Sequence, residues 1–176
     1  MSAPRGEARR QAMLDAALAL VARGGPRAVT HRAVATEAGV PLAATTYYFT
    51  SRDDLVAQAL MLCAERDVAR LADRDLQDLL AEDLESEREE LLASYELWLE
   101  AARNPALRPT ARKVTDTYVE AARAMARDDV DAQLMVAALE GLTLEVLVGG
   151  LEAAEARTAF ARLLAALGVT AGRRPR

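Results

Sequence analysis

The 26-residue run THRAVATEAGVPLAATTYYFTSRDDL, from Thr30 to Leu55, restricts this chain more than any other part of it. Thr30 is suited to cap a helix, because its hydroxyl can accept a hydrogen bond from one of the first unpaired amides. Val29 before the cap and Val34 four positions on have the spacing of a hydrophobic staple. The helix runs through Ala33 to Ala38 and stops at Gly39, a residue free to adopt the left-handed conformation that ends a helix tightly. Pro41 opens a second helix reaching about Tyr48, since a missing amide proton costs nothing in a first turn. Two helices this short bury little, so a third must pack across them. Residues 7 to 23 supply it: Met13, Ala16, Ala17, Leu20 and Val21 form an apolar stripe, and Gly24-Gly25-Pro26 ends the helix. The expected product is a helix-turn-helix whose second helix is free to lie in a DNA major groove.

The segment from about Arg9 to Leu60 resembles the DNA-binding domain of the TetR family of transcriptional regulators. The resemblance is carried by Thr30, by Ala38-Gly39-Val40 at the turn, by Tyr47-Tyr48-Phe49, and by Ser51-Arg52-Asp53-Asp54-Leu55. The sequence departs from the family pattern at Leu42, Ala43 and Thr46, positions that face the bases in relatives, so the operator sequence stays open. The resemblance implies DNA contacts from Thr30, His31, Arg32, Leu42, Ala43, Thr45, Thr46, Tyr47, Tyr48 and Arg52. Arg32 has the chemistry of a bidentate guanine contact, while hydroxyl and charged groups suit phosphates. One of the tyrosines, and Phe49, can instead pack beneath the recognition helix. A solvated arginine at 32 and a solvated histidine at 31 are the plain alternatives.

A net charge of −5 looks wrong for a nucleic-acid binder until the chain is divided. Residues 1–50 carry six Arg against three acids, whereas residues 51–176 hold sixteen basic and twenty-four acidic residues. This asymmetry assigns a nucleic-acid face to the N-terminal part. The opening MSAPRGEARR has no apolar core of a signal peptide, no stretch is long and uncharged enough to span a membrane, and a single cysteine, Cys63, fits a reducing compartment. A cytoplasmic protein with no membrane association is expected.

The remainder reads as helix throughout. Ser51 with Asp54 makes a capping-box-like start to a helix over 52–70 that would join two domains. Further helices are expected around 75–83, over 87–103, over 110–127 with Pro109 interrupting the segment before it, from a cap at Asp128 or Asp129 to Val148, and over 154–167. The tail from 170 is expected to be disordered. The fold class is therefore all-α, with a three-helix DNA-binding domain over 1–52 and a helical ligand-binding and dimerisation domain over 53–169.

The helix at 130–148 is apolar on two sides. Val130, Leu134, Ala137, Gly141, Leu144 and Val148 line one, and Met135, Leu139, Leu142 and Val146 the other. Gly141 in mid-helix costs about 1 kcal/mol relative to Ala, which is easiest to understand if another backbone approaches there. The family resemblance implies a homodimer interface containing Leu134, Gly141, Leu144, Val148, Phe160, Leu163 and Leu164; completion of the subunit core is the alternative. Tyr95, Trp98 and Leu99, with Tyr118 and Met125 on a neighbouring helix, either line a cavity for a small-molecule effector or are ordinary core. With one histidine and no glycine-rich phosphate loop, no catalytic residue, metal site or cofactor is expected. The expected function is a regulator, most simply a repressor released from a near-palindromic double-stranded operator by a small molecule. A helical adaptor or activator whose C-terminal domain binds a protein is the alternative.

Overall fold

The computed structural model describes residues 3–73 and 88–169. They form eight α-helices and no strand: α1 Ala3–Gly24, α2 His31–Glu37, α3 Leu42–Tyr48, α4 Arg52–Asp73, α5 Arg88–Arg103, α6 Arg108–Arg123, α7 Asp129–Leu147 and α8 Ala153–Ala166. Short 3-10 turns at Pro26–Ala28 and Pro105–Leu107 precede α2 and α6. None of these helices is long and apolar enough to cross a membrane. The helix expected near 75–83 and the tail from 170 lie outside the described residues.

The helix ends follow local chemistry. Thr30 Oγ1 accepts from the Ala33 amide at 3.1 Å, and Val29 and Val34 are both fully buried beside it. Gly39 has φ +63°, and its amide and that of Val40 donate to Thr36 and Ala35 carbonyls, which closes α2 as a left-handed cap does. Pro41 sits one place earlier than expected, as the extended N-cap of α3. Ser51 Oγ accepts from the Asp54 amide at 3.0 Å, but the returning carboxylate reaches past Ser51 to the Thr50 amide at 2.8 Å. Pro109 does not interrupt α6; it occupies the first turn, where proline costs no hydrogen bond. Asp128 caps α7 through the Asp131 amide at 2.9 Å. Glu152 and Glu155 make the capping box that starts α8.

Contacts divide the chain into two compact units, Met1–Cys63 with Glu89–Lys113 and Ala64–Arg88 with Val114–Arg176. In the first unit α1 packs on α2, and α2 on α3. Met13, Leu14, Val21, Phe49, Leu55, Leu60 and Leu97 are almost completely buried. Each such aliphatic or aromatic side chain contributes about 1.5–3 kcal/mol by leaving water. This burial fixes which side of α3 is left outward. In the second unit α7 packs on α8, around Met135, Ala156, Phe160, Leu164 and Leu167, with Leu139, Leu142, Val146 and Leu163 partly buried against them.

Candidate nucleic-acid interface

The polar residues of α3, Thr45 to Tyr48, are consecutive and about 100° apart around the axis, so they cannot all face one side. Leu42, Ala43, Thr46 and Tyr47 share its outer face and are exposed, Tyr47 to 82%. Thr45 turns the other way: it is fully buried, and its hydroxyl donates to the Leu42 carbonyl at 2.8 Å. The expectation that Thr45 meets DNA is therefore corrected, because its only hydroxyl is enclosed beneath the helix. Tyr48 is half-buried and meets Tyr47 edge-on at 5.0 Å. Its hydroxyl lies over α1, 3.2 Å from where a side-chain carbon at Gly6 would stand. Phe49 is buried, as expected.

On α2, Thr30 and Arg32 are exposed, and no hydrogen bond or ion pair holds the Arg32 guanidinium among the described residues. His31 is half-buried, with Nδ1 enclosed and without a partner among the described residues. Arg9 and Arg27, also exposed, were not singled out by motif. The signal for them lay only in the arginine excess of the first fifty residues.

Arg52 differs from expectation. Its guanidinium donates through Nη2 to the Pro26 carbonyl at 2.7 Å and through Nε to the Val29 carbonyl at 3.2 Å. Nη1 lies 3.3 Å from Glu100 Oε1 and 3.5 Å from Asp53 Oδ1. A charge expected to face phosphate is engaged by its own fold. Nearby, Arg10 donates to Gln58 Oε1 at 2.7 Å, and Gln58 donates to Asp54 at 2.8 Å. Burial pushes the Asp54 carboxyl up, but the hydrogen bonds from Gln58 and Thr50, with Arg10 close by, outweigh it and hold the group below its ordinary range.

The residues expected to line an effector cavity do not all fall in one unit. Tyr95, Trp98 and Leu99 lie on α5 in the first; Tyr95 and Trp98 are half-buried, and Leu99 is 52% exposed. Tyr118 and Met125 lie in the second unit. Tyr118 donates its hydroxyl to Asp67 Oδ2 at 2.6 Å, Asp67 also pairs with Arg70, and Met125 packs on the α7–α8 core. Burial, and then the charge of Asp67, raise the Glu140 carboxyl above its ordinary range. Motif reasoning missed this Asp67–Tyr118–Glu140 grouping because its members are far apart in sequence.

Along α7, Val130, Leu134, Leu144 and Val148 are 43–68% exposed. Gly141 lies among them, and a side-chain carbon there would meet nothing within 4 Å among the described residues. Phe160 and Leu164, expected at a subunit interface, are instead 1% exposed inside their own core. They project from the face of α8 that packs on α7, so they are corrected to core residues. Leu163 is partly buried on the same cluster.

Residues 13–71 match the family model for bacterial regulatory proteins of the tetR family, and residues 66–167 match that for a tetracyclin repressor-like C-terminal domain. The fold is similar to that of the multidrug binding protein EbrR complexed with ethidium, at 36% identity and TM-score 0.71, covering 88% of this chain and 97% of that one. A TetR family member from Streptomyces coelicolor A3 is similar at 36% identity and TM-score 0.73, with the same coverage of 88% and 97%. In sequence the chain is 30% identical over 122 residues to the nicotine-responsive transcriptional repressor HdnoR of Paenarthrobacter nicotinovorans, covering 62% of this chain and 63% of the relative. The chain spans less than two thirds of the length of the curated relatives it matches.

Proposed function

The chain belongs to the TetR family of bacterial transcriptional regulators, and from that membership we propose that it is a sequence-specific DNA-binding repressor, working in the cytoplasm as a homodimer and released from its operator by a small molecule. The observation that carries the DNA reading is the outward face of α3, Leu42, Ala43, Thr46 and Tyr47, with Arg32 on α2 exposed and unpaired among the described residues. Thr30 and Arg32 serve positioning and base reading, and Tyr47 meets a phosphate or base edge. The exposed stripe of Leu134, Gly141, Leu144 and Val148 supports pairing with a second copy, the arrangement that a two-fold operator requires. Ligand control is supported by relatives described as nicotine-responsive or as bound to ethidium. Tyr95 and Trp98 on α5 are the proposed effector contacts. The division into a DNA-binding part over 1–52 and a regulatory part over 53–169 is part of the same reading.

The test is selection of bound duplexes from a random pool. An inverted repeat with half-sites about one helical turn apart, roughly 34–36 Å, is expected, with affinity falling steeply as salt rises. Recovery of no inverted repeat, or binding indifferent to salt, would overturn the reading.

A further inference from the structure

Arg52 opens α4, and its guanidinium holds the two carbonyls that frame the link between α1 and α2: Pro26, which begins the 3-10 turn, and Val29, which precedes the Thr30 cap. Those two bonds tie the link to the first turn of α4, just ahead of the Thr30 cap that starts α2. Nη1 lies 3.3 Å from an acid of a different part of the chain, Glu100, 48 residues away in sequence and with its side chain only 19% exposed, and 3.5 Å from the adjacent Asp53. The ion pair with Glu100 is thus a single, partly shielded contact, while the fork that a lysine could not reproduce is the donation from Nη2 and Nε to the two carbonyls. One turn earlier on α5, Glu96 Oε2 stands 3.7 Å from where a side-chain carbon at Gly25 would lie, so this face of α5 runs along the same link. Arg52, Glu100, Pro26 and Val29 all belong to one compact unit.

From this geometry we infer that Glu100 is a positioning residue for DNA reading: through Arg52 it fixes the α1–α2 link, and so the attitude of α2 and α3 toward the operator. The inference rests on the DNA-binding reading above and adds to it a route from α5 to the reading helices. Trp98 and Tyr95 lie on that helix, within two turns of Glu100. An effector that shifts α5 would therefore be felt at the link. The alternative is that Arg52 is a phosphate contact which Glu100 merely restrains.

Removing the acid gives opposite results under the two accounts. The experiment compares wild type, Glu100→Ala, Glu100→Gln and Glu100→Asp on the selected operator and on a random duplex, across a salt series. Backbone amide exchange is followed without DNA. Positioning requires Glu100→Ala to lower the operator-to-random affinity ratio by roughly tenfold, the size of one lost hydrogen bond to a charged group, with the salt slope unchanged. Amides at Val29 and through α2 should exchange faster, and Glu100→Asp should restore part of both effects. If Glu100→Ala does not fold, Glu100→Gln, which keeps shape and an acceptor oxygen but no charge, must show the same direction of change at a near-native unfolding temperature. Affinity rising equally on both duplexes, with a slope steeper by about 0.9, would mean that Arg52 has been freed to meet phosphate, and the inference would fall. An unchanged ratio with unchanged exchange overturns it equally. Failure of the wild type to select any sequence sinks the DNA reading instead, while the exchange arm still reports on the link.

Discussion

Gly141 offers a perturbation whose sign differs between folding and assembly. It sits in the middle of α7 on a stripe where Val130, Leu134, Leu144 and Val148 are 43–68% exposed, and an added methyl would meet nothing within 4 Å among the described residues. In a lone protomer Gly141→Ala should therefore act through helix propensity alone and stabilise by about 1 kcal/mol, roughly fivefold in the folding equilibrium. If two α7 helices cross closely at Gly141, the same methyl enters the contact from both subunits. Overpacking of that kind costs about 1–3 kcal/mol, so the dimer dissociation constant should rise by roughly five- to 150-fold. Sedimentation equilibrium over a concentration series gives the second quantity. Thermal unfolding below the wild-type dissociation constant gives the first, a necessary condition because association otherwise adds to apparent stability. The reasoning is refuted if Gly141→Ala dimerises as tightly as wild type, or if wild type is monomeric at high micromolar concentration. Leu134→Glu is the control: it should abolish pairing with little effect on the protomer, since nearly half of Leu134 is already in water.

Gly39→Ala should destabilise the first unit by about 1–2 kcal/mol, because φ is +63° and no steric contact among the described residues adds to the backbone strain; Gly39→Asn should lose less, and thermal unfolding ranks them. Thr45→Val should cost about 0.5–1.5 kcal/mol of stability and leave operator preference intact, whereas Tyr47→Ala should weaken DNA binding at an unchanged unfolding temperature. Equal shifts in sequence preference from both would contradict the assignment of inner and outer faces on α3. For Glu140, a carboxyl held above its unfolded range opposes folding once ionised, so lowering the pH through that raised range should stabilise the protein. Glu140→Gln should be more stable than wild type at neutral pH, with the difference shrinking toward the ordinary glutamate range. Asp54 has the opposite sign: its contribution is present above the ordinary aspartate range and lost as pH falls through its lowered value, so Asp54→Asn should flatten that part of the acid-unfolding profile.

Much of the fold was legible because helix ends are local chemistry. Thr30, Gly39, Pro41, Ser51, Asp128 and the Val29–Val34 staple each act within four or five residues of themselves, so adjacent sequence suffices to place them. Apolar period likewise foretold that α7 has two apolar sides, one covered by α8. Period identifies a stripe but not what covers it, and this is where the sequence left alternatives that tertiary contacts resolved. Thr45 and Thr46 are neighbours of the same type; only the packing of α3 on α2 sends one inward and leaves the other in solvent. Phe160 and Leu164 share the core-facing side of α8, a matter of helix phase against α7. Arg52 lies in a motif that suggested DNA, yet its partners Pro26, Val29 and Glu100 are 23 to 48 residues away. The sequence by itself marked the helix ends of the described residues to within a few positions, and which sides are apolar, because those depend on short-range hydrogen bonds and a 3.6-residue repeat. Only the tertiary structure decided which charges remain free for a ligand, because an ion pair depends on distance in space.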